Sequence, residues 1–263
     1  MPLWDGHEYA EVSALQRTLA GQALAGLTLS GDERVLDIGC GDGLVTLELA
    51  ARLPRGSVVG VDASPRMIET AVDRPVPAGA SARFLVADAR DLPFADEFDL
   101  VVSFNALHWV PEQRRALESL ARTLRPGGRA VLQMVCASER PSVEDVEMEV
   151  AARPEWAPAF DGFAAPFVHP VPERYEALAA AAGLVVAGRR TWEVEWDFGS
   201  RWDFLRWCTV GSTDWTRRLA PDRAARFMAE VVAAYEARAG RPGLFRFAQM
   251  RVDLRRSASA VEN

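Results

Sequence analysis

The sequence predicts a doubly wound α/β fold: a mostly parallel sheet with helices on both faces and an inserted α-helical, aromatic cap. Three observations predict it. Apolar runs of strand length alternate with segments of helical period, the rhythm of successive βαβ units. The first run leads into "DIGCGDG" (37–43), a glycine-rich turn at a strand's carboxyl end. The rhythm then fails between 137 and 172, where Pro141, Pro154, Pro158, Pro166, Pro170 and Pro172 interrupt a stretch containing Trp156, Phe160, Phe163 and Phe167. A linker has no use for four aromatics in twelve residues, so this stretch reads as a packed lid.

Each element has its own local cause. "RVLDI" (34–38) is a short apolar strand, and the helix after the glycines aligns Val45, Leu49 and Leu53 on one stripe. "SVVGV" (57–61) is the second strand; Ser64 and Pro65 then supply an N-cap and a first-turn proline for the helix through Val72. "ARFLVA" (82–87), "FDLVVSF" (98–104) and "RAVLQMV" (129–135) are three more strands, apolar enough to be covered on both faces. Between the last two, a helix opens on Pro111 and is expected to close on Gly127 and Gly128. A helix over 172–182 with Gly183 as its C-cap, an alternating strand over 185–196, an aromatic helix at "SRWDFLRW" (200–207), a helix over 223–237 and a strand over 244–254 complete the chain. The division expected is an N-terminal helical lid (1–30), a core (31–136), cap or substrate segments (137–172 and 197–240), and the rest of the core sheet (173–196 and 241–256).

Composition removes several function classes. The net charge of −7 disfavours nucleic acid and anionic membranes as partners. Cys40, Cys136 and Cys208 are scattered singly, which argues against a disulfide framework or a zinc site. No segment has the run of about 20 apolar residues that a membrane span needs, and the first residues lack a leader pattern, so a soluble cytoplasmic protein is expected. The chain contains no lysine, which excludes Schiff-base catalysis and a Walker-type phosphate site. No metal site is legible.

The glycine turn is more informative. In D-x-G-x-G-x-G (Asp37, Gly39, Gly41, Gly43) the missing Cβ atoms let a ligand approach the backbone, and Asp62 ends the next strand where a carboxylate can accept from two ribose hydroxyls. A dinucleotide fingerprint is G-x-G-x-x-G; here the third glycine comes one residue early and Asp37 and Asp42 flank the turn. Carboxylates repel a pyrophosphate but suit an ammonium and a sulfonium, which points to S-adenosylmethionine as cofactor.

With these motifs in place, the chain resembles the class I S-adenosylmethionine-dependent methyltransferases over roughly residues 4–136. "VLDIGCGDG", "GVDASPRMI", "VADARDLPF", "FDLVVSFNALHWV" and "LRPGG" follow one another in the family's order. The resemblance implies a seven-stranded Rossmann-like sheet of order 3-2-1-4-5-7-6. It implies Asp37 and Gly39 beside the methionine part, Asp62 on the ribose, Asp88 and Ala89 at the adenine, Met67 against the adenosine, and Phe104 and Asn105 near the methyl donor. Tyr9, Cys40, Gly41 and Ala63 complete the cofactor set expected on it.

More narrowly, "WDGHEYAEVSALQ" and "FNALHWVPEQRRAL" are similar to the trans-aconitate and juvenile-hormone-acid methyltransferase group, whose members methylate carboxylates. That resemblance implies Gln16 and Trp109 as donors to the acceptor carboxylate; read as residues alone, they are equally a surface glutamine and a core tryptophan. An ionised carboxylate needs alignment and no general base. His108 is the one neutral-pH base near the expected cleft, and would serve a phenol or alcohol acceptor if it is not structural. Arg201 and Arg206 could hold a second carboxylate or be solvated. The expected activity is methyl transfer to oxygen of a small, largely apolar molecule, with a phenol, nitrogen or carbon acceptor as alternative; a cofactor-binding or cyclising scaffold without methyl transfer is the alternative of another class.

Overall fold

The computed structural model describes residues 14–257. Strands β1 (Arg34–Ile38), β2 (Ser57–Asp62), β3 (Ala82–Val86), β4 (Phe98–Phe104), β5 (Leu124–Val135), β6 (Leu184–Asp197) and β7 (Leu244–Arg256) form one seven-stranded sheet. Its order, β3-β2-β1-β4-β5-β7-β6, is the one implied by the family resemblance. β1 pairs in parallel with β2 and β4, whereas β7 inserts antiparallel between β5 and β6. The order reverses at β1, so the crevice at the carboxyl ends of β1 and β4 is where such a sheet binds ligands.

Helices α1 (Ala14–Ala25), α2 (Leu44–Ala51), α3 (Pro65–Val72), α4 (Gln113–Thr123) and α6 (Tyr175–Ala181) flank the sheet. The cap holds α5 (Val143–Ala151), α7 (Arg201–Gly211), α8 (Thr213–Thr216) and α9 (Pro221–Ala239). Two apolar clusters fill the faces of the sheet, one around Leu36, Val101 and Leu132 and the other around Val35, Leu49 and Leu100. Among the described residues no helix is long and apolar enough to cross a membrane.

One local expectation needs correction. The fourth helix closes at Thr123, because Leu124 already pairs with Phe98 in the sheet; β5 then carries Pro126, Gly127 and Gly128 as an irregular stretch before regular pairing resumes at Arg129. A Cβ on Gly128 would lie 2.9 Å from the Phe98 carbonyl oxygen, so that glycine serves strand contact. The proline-rich segment also contains a regular helix. Ser142 and Asp145 form a reciprocal capping box that starts α5 directly after the first of its prolines.

The cap has a core of its own. The ring of Trp156, fully buried, meets Phe227 edge-on at 5.3 Å, and its Nε1 donates to Glu230 at 3.0 Å. Phe163 meets Trp215 at 5.6 Å. The two stretches expected as cap, 137–172 and 197–240, thus pack on each other and on Leu15 and Leu19 of α1. Phe245 and Phe247, at the start of β7, join the same cluster and tie the cap to the sheet.

Candidate active site

After β1 the chain turns through Gly39, Gly41 and Gly43, whose φ angles of 75°, 54° and 81° lie in the left-handed region that glycine favours. Space decides what each is for. A Cβ on Gly39 would lie 2.1 Å from the Ala106 Cβ, and one on Gly43 would lie 2.8 Å from Ala71 Cβ and from the Phe84 ring. On Gly41 it would meet none of the described residues within 4 Å. Two of the glycines therefore answer to packing, and Gly41 faces an open cleft.

The turn is pinned to the end of β2. Gly39 and Cys40 N–H donate to the Val61 carbonyl at 2.8 and 3.0 Å. Asp62 accepts from Gly41 N–H at 3.0 Å and from Ser64 N–H at 2.8 Å, one on each carboxylate oxygen, so each oxygen keeps a second lone pair. Burial raises the Asp62 pKa, against the pull of those backbone bonds.

The cleft of about 1160 Å³, open at its mouth, brings together most of the expected set: Gln16, Gly39, Cys40, Gly41, Asp62, Ala63, Met67, Ala89, Phe104, Asn105 and Trp109. Tyr9 lies outside the described residues. Asp37 sits behind the turn, 2% exposed, and accepts from Thr46 Oγ1 at 2.6 Å. Burial pushes its carboxyl up to about 7, the Thr46 bond opposing and the Asp62 charge adding. Asp88 does not line the cleft; Arg90, two residues on, folds back and grips both its oxygens, which lowers its pKa.

Asp42 lines the cleft but is not a free charge, because Arg74 ion-pairs with its carboxylate and Nε donates to its backbone carbonyl at 2.6 Å. With Asp37 buried behind the turn and Asp42 paired, Asp62 is the carboxylate that faces the cleft without a cationic partner among the described residues.

Beyond the cleft lies a second chamber under the cap, about 740 Å³, and the two share Gln16, Asn105 and Trp109 in their walls. At this junction the polar groups are neutral amides and an indole. Trp207 Nε1, from α7, donates to Gln16 Oε1 at 3.3 Å. Asn105 has φ 56° and its N–H donates to the Gln133 carbonyl at 2.7 Å. Its Oδ1 accepts from Gln249 Nε2, and Gln249 Oε1 in turn accepts from Gln133 Nε2 at 2.8 Å. With the Asn105 oxygen taken up by Gln249, its Nδ2 is the side-chain atom left outside this amide chain. Gln133 and Gln249 were not anticipated; each is an uncharged polar residue between apolar neighbours, in "AVLQMV" and "FAQM", and that interruption was the available signal.

His108 lines the chamber, 4% exposed, and its Nδ1 has no hydrogen-bond partner among the described residues. Burial, with His169 adding, pushes its pKa down to about 3. Such an imidazole stays neutral in the physiological range and is a weak base. The linkage has a definite sign: the unfolded histidine takes up a proton near pH 6.5 and the folded one does not, so His108 withdraws stability as pH falls from about 6.5 toward 3. The expected result is a thermal unfolding midpoint for His108→Asn that declines less steeply than wild type below pH 6.5; parallel slopes would show that His108 is free to protonate. Arg201 is engaged by Glu236 at 2.6 Å, and neither Arg201 nor Arg206 lines the cleft or the chamber.

The glycine turn anchored on a carboxylate at the end of β2, under a sheet of this order, defines a nucleoside-binding α/β enzyme of the methyltransferase type. Residues 35–128 match the family model of a methyltransferase domain. The chain is 31% identical to a trans-aconitate 2-methyltransferase of Azoarcus sp. (strain BH72) over 95% of this chain and 98% of that one. It is 34% identical to another of the same name from Methylobacterium nodulans, over 89% and 88%. The solved structure of the YcgJ protein of Bacillus subtilis shares the fold, with a TM-score of 0.66 and 20% identity over 92% of this chain and 99% of that one. The chain belongs to the class I S-adenosylmethionine-dependent methyltransferases.

The cleft fits that cofactor. At Gly41 a backbone without a Cβ borders open space, Asp62 offers two unused lone pairs, and Met67, Ala63 and Ala89 give apolar walls for a purine. When bound, the cofactor supplies an electrophilic methyl group on a sulfonium.

Proposed function

We propose that the chain methylates an oxygen, that of a carboxylate, on a small and largely apolar molecule held in the chamber under the cap. One observation carries the reading: among the described residues, the junction between cleft and chamber offers three neutral hydrogen-bonding side chains, Gln16, Asn105 and Trp109, and no competent base. A carboxylate is ionised at neutral pH and carries its own nucleophilic lone pair, so its need is orientation. The Gln16 and Asn105 amides and the Trp109 indole are donors that can aim it without the strong ion pairing that would dull it. Trp207 and Gln249 act one step back, as positioning residues that set the two amides. The roles given above to Asp37, Asp62, Met67 and Ala89 in holding the cofactor, and the division into lid, core and cap, belong to the same proposal. The relatives named for a carboxylate substrate support it.

A panel of acids and phenols, with the methylated atom located by mass spectrometry and NMR, tests the reading. On the acceptor it identifies, Trp109→Phe is expected to lower turnover about tenfold to a hundredfold, the worth of one hydrogen bond to a charged group at roughly 1.5–3 kcal/mol, with cofactor affinity unchanged. His108→Asn should change turnover less than about threefold. The opposite pattern, an inactive His108 variant beside an active Trp109→Phe, would mean that a proton must be removed and that the acceptor is a hydroxyl.

A further inference from the structure

The chamber has an acidic floor. Glu144 and Glu147 stand one turn apart on α5 and both line it. Glu147 is 1% exposed and accepts from Ser212 Oγ; burial first, then the neighbouring Glu144, push its carboxyl well above the carboxylate range. Leu15, Trp207, Phe245 and Phe247 make much of the remaining wall apolar. Among the described residues no arginine lines the chamber; the basic group beside its floor is His169, whose Nε2 lies 3.9 Å from Glu144. The neutral His108 adds a second kind of signal: a polar ring, 4% exposed, whose Nδ1 finds no partner among the described residues in the wall of this cavity.

An acceptor reaching from the junction to this floor must suit both ends. A second carboxylate there would be stripped of water with no arginine among the lining residues to receive it and two acids beside it, an arrangement that buried charges avoid. A bare methyl end would leave the Glu147 carboxyl and the His108 nitrogen without a ligand partner. Resting on the carboxylate reading only for which end of the acceptor faces the cofactor, we propose that the far end carries a hydrogen-bond donor, an N–H or O–H group with an amine as the strongest case, received by Glu147 and Glu144. The enzyme then accepts amino- or hydroxy-bearing apolar acids and refuses polycarboxylates. This separates it in specificity from relatives named for a tricarboxylate.

The test is calorimetric titration of the full chain, loaded with S-adenosylhomocysteine, with phenylpropanoates carrying a methyl, hydroxyl, aminomethyl or carboxyl group at the para position. The aminomethyl compound is expected to bind at least tenfold tighter than the methyl one and the carboxyl compound weakest. In Glu147→Gln, the near-isosteric change, the aminomethyl preference should fall to within about threefold of the methyl compound. A carboxyl compound binding as well as the aminomethyl one, or a preference untouched in Glu147→Gln, overturns the proposal; should that variant not fold, Glu144→Gln and the wild-type ranking decide. Repeating the series with the propanoate replaced by its amide separates the two readings. An aminomethyl preference that persists there, with methylation found elsewhere than on a carboxyl, removes the carboxylate reading and leaves this one standing, whereas loss of the preference in both series removes this one alone.

Discussion

Asp62→Ala is expected to weaken S-adenosylhomocysteine binding about a hundredfold or more. The carboxylate accepts from Gly41 N–H and Ser64 N–H, and so fixes both the turn that opens onto the cleft and the start of α3. In the proposed complex it also receives the ribose hydroxyls. Hydrogen bonds to a charged group are worth about 1.5–3 kcal/mol each, so losing the ribose contact alone costs tenfold or more. The released turn adds to that, since the Gly41 N–H loses its partner beside the ligand. Asp62→Asn should fall between wild type and alanine, because an amide keeps one acceptor oxygen and turns a donor toward the second N–H. Calorimetric titration reads all three proteins. Unchanged affinity in the alanine variant, or NAD binding competitively at the same site, would overturn the assignment of this cleft.

Gln249→Glu should reduce turnover on the acceptor about a hundredfold while leaving cofactor affinity near wild type. Gln249 is fully buried and works as both donor and acceptor, its Nε2 donating to Asn105 Oδ1 and its Oε1 accepting from Gln133 Nε2. Burial favours the protonated acid, which would still donate to Asn105, so turnover is compared at rising pH; once ionised, a carboxylate there can only accept. It keeps the Gln133 bond, but Asn105 must rotate its amide to donate to it and so presents its own oxygen to the junction. An acceptor carboxylate then meets a lone pair where it had met an N–H, a reversal worth about two lost hydrogen bonds at roughly 1.5 kcal/mol each. Because the new side chain has nearly the old shape and both its neighbours can donate, the fold is expected to survive, which a thermal melt verifies. Gln249→Leu, which fixes neither orientation, should be the milder variant in turnover. A Gln249→Glu enzyme as active as wild type would show that Asn105 does not aim the acceptor.

Much of this was legible in the linear sequence. Strand-length apolar runs, the glycine turn and Asp62 locate the cleft because backbone conformation and strand ends are written locally: positive φ calls for glycine, and a strand's last residue lies at the sheet's carboxyl edge. Ser64 and Pro65 start α3 as expected for the same reason, with the Ser64 hydroxyl accepting from Met67 N–H.

Other features depend on residues far apart in the chain. That Gly39 and Gly43 serve packing follows only once Ala106, Phe84 and Ala71 are seen against them. Arg74, 32 residues on, neutralises Asp42, and the sequence places no mark on that pairing. Gln249 reaches Asn105 across 144 residues because β7 runs antiparallel beside β5, and the acidic floor of the chamber exists only where α5 and α7 close over the ends of β5 and β7. The sequence by itself determined the order of its elements and the place of the glycine turn, both properties of local periodicity and spacing, and its motifs pointed to the class of enzyme through their resemblance to a known family. Which charges are paired, which amides bond to one another and which side chains line the chamber were decided by tertiary structure alone, since hydrogen-bond partnership and burial are properties of neighbours in space.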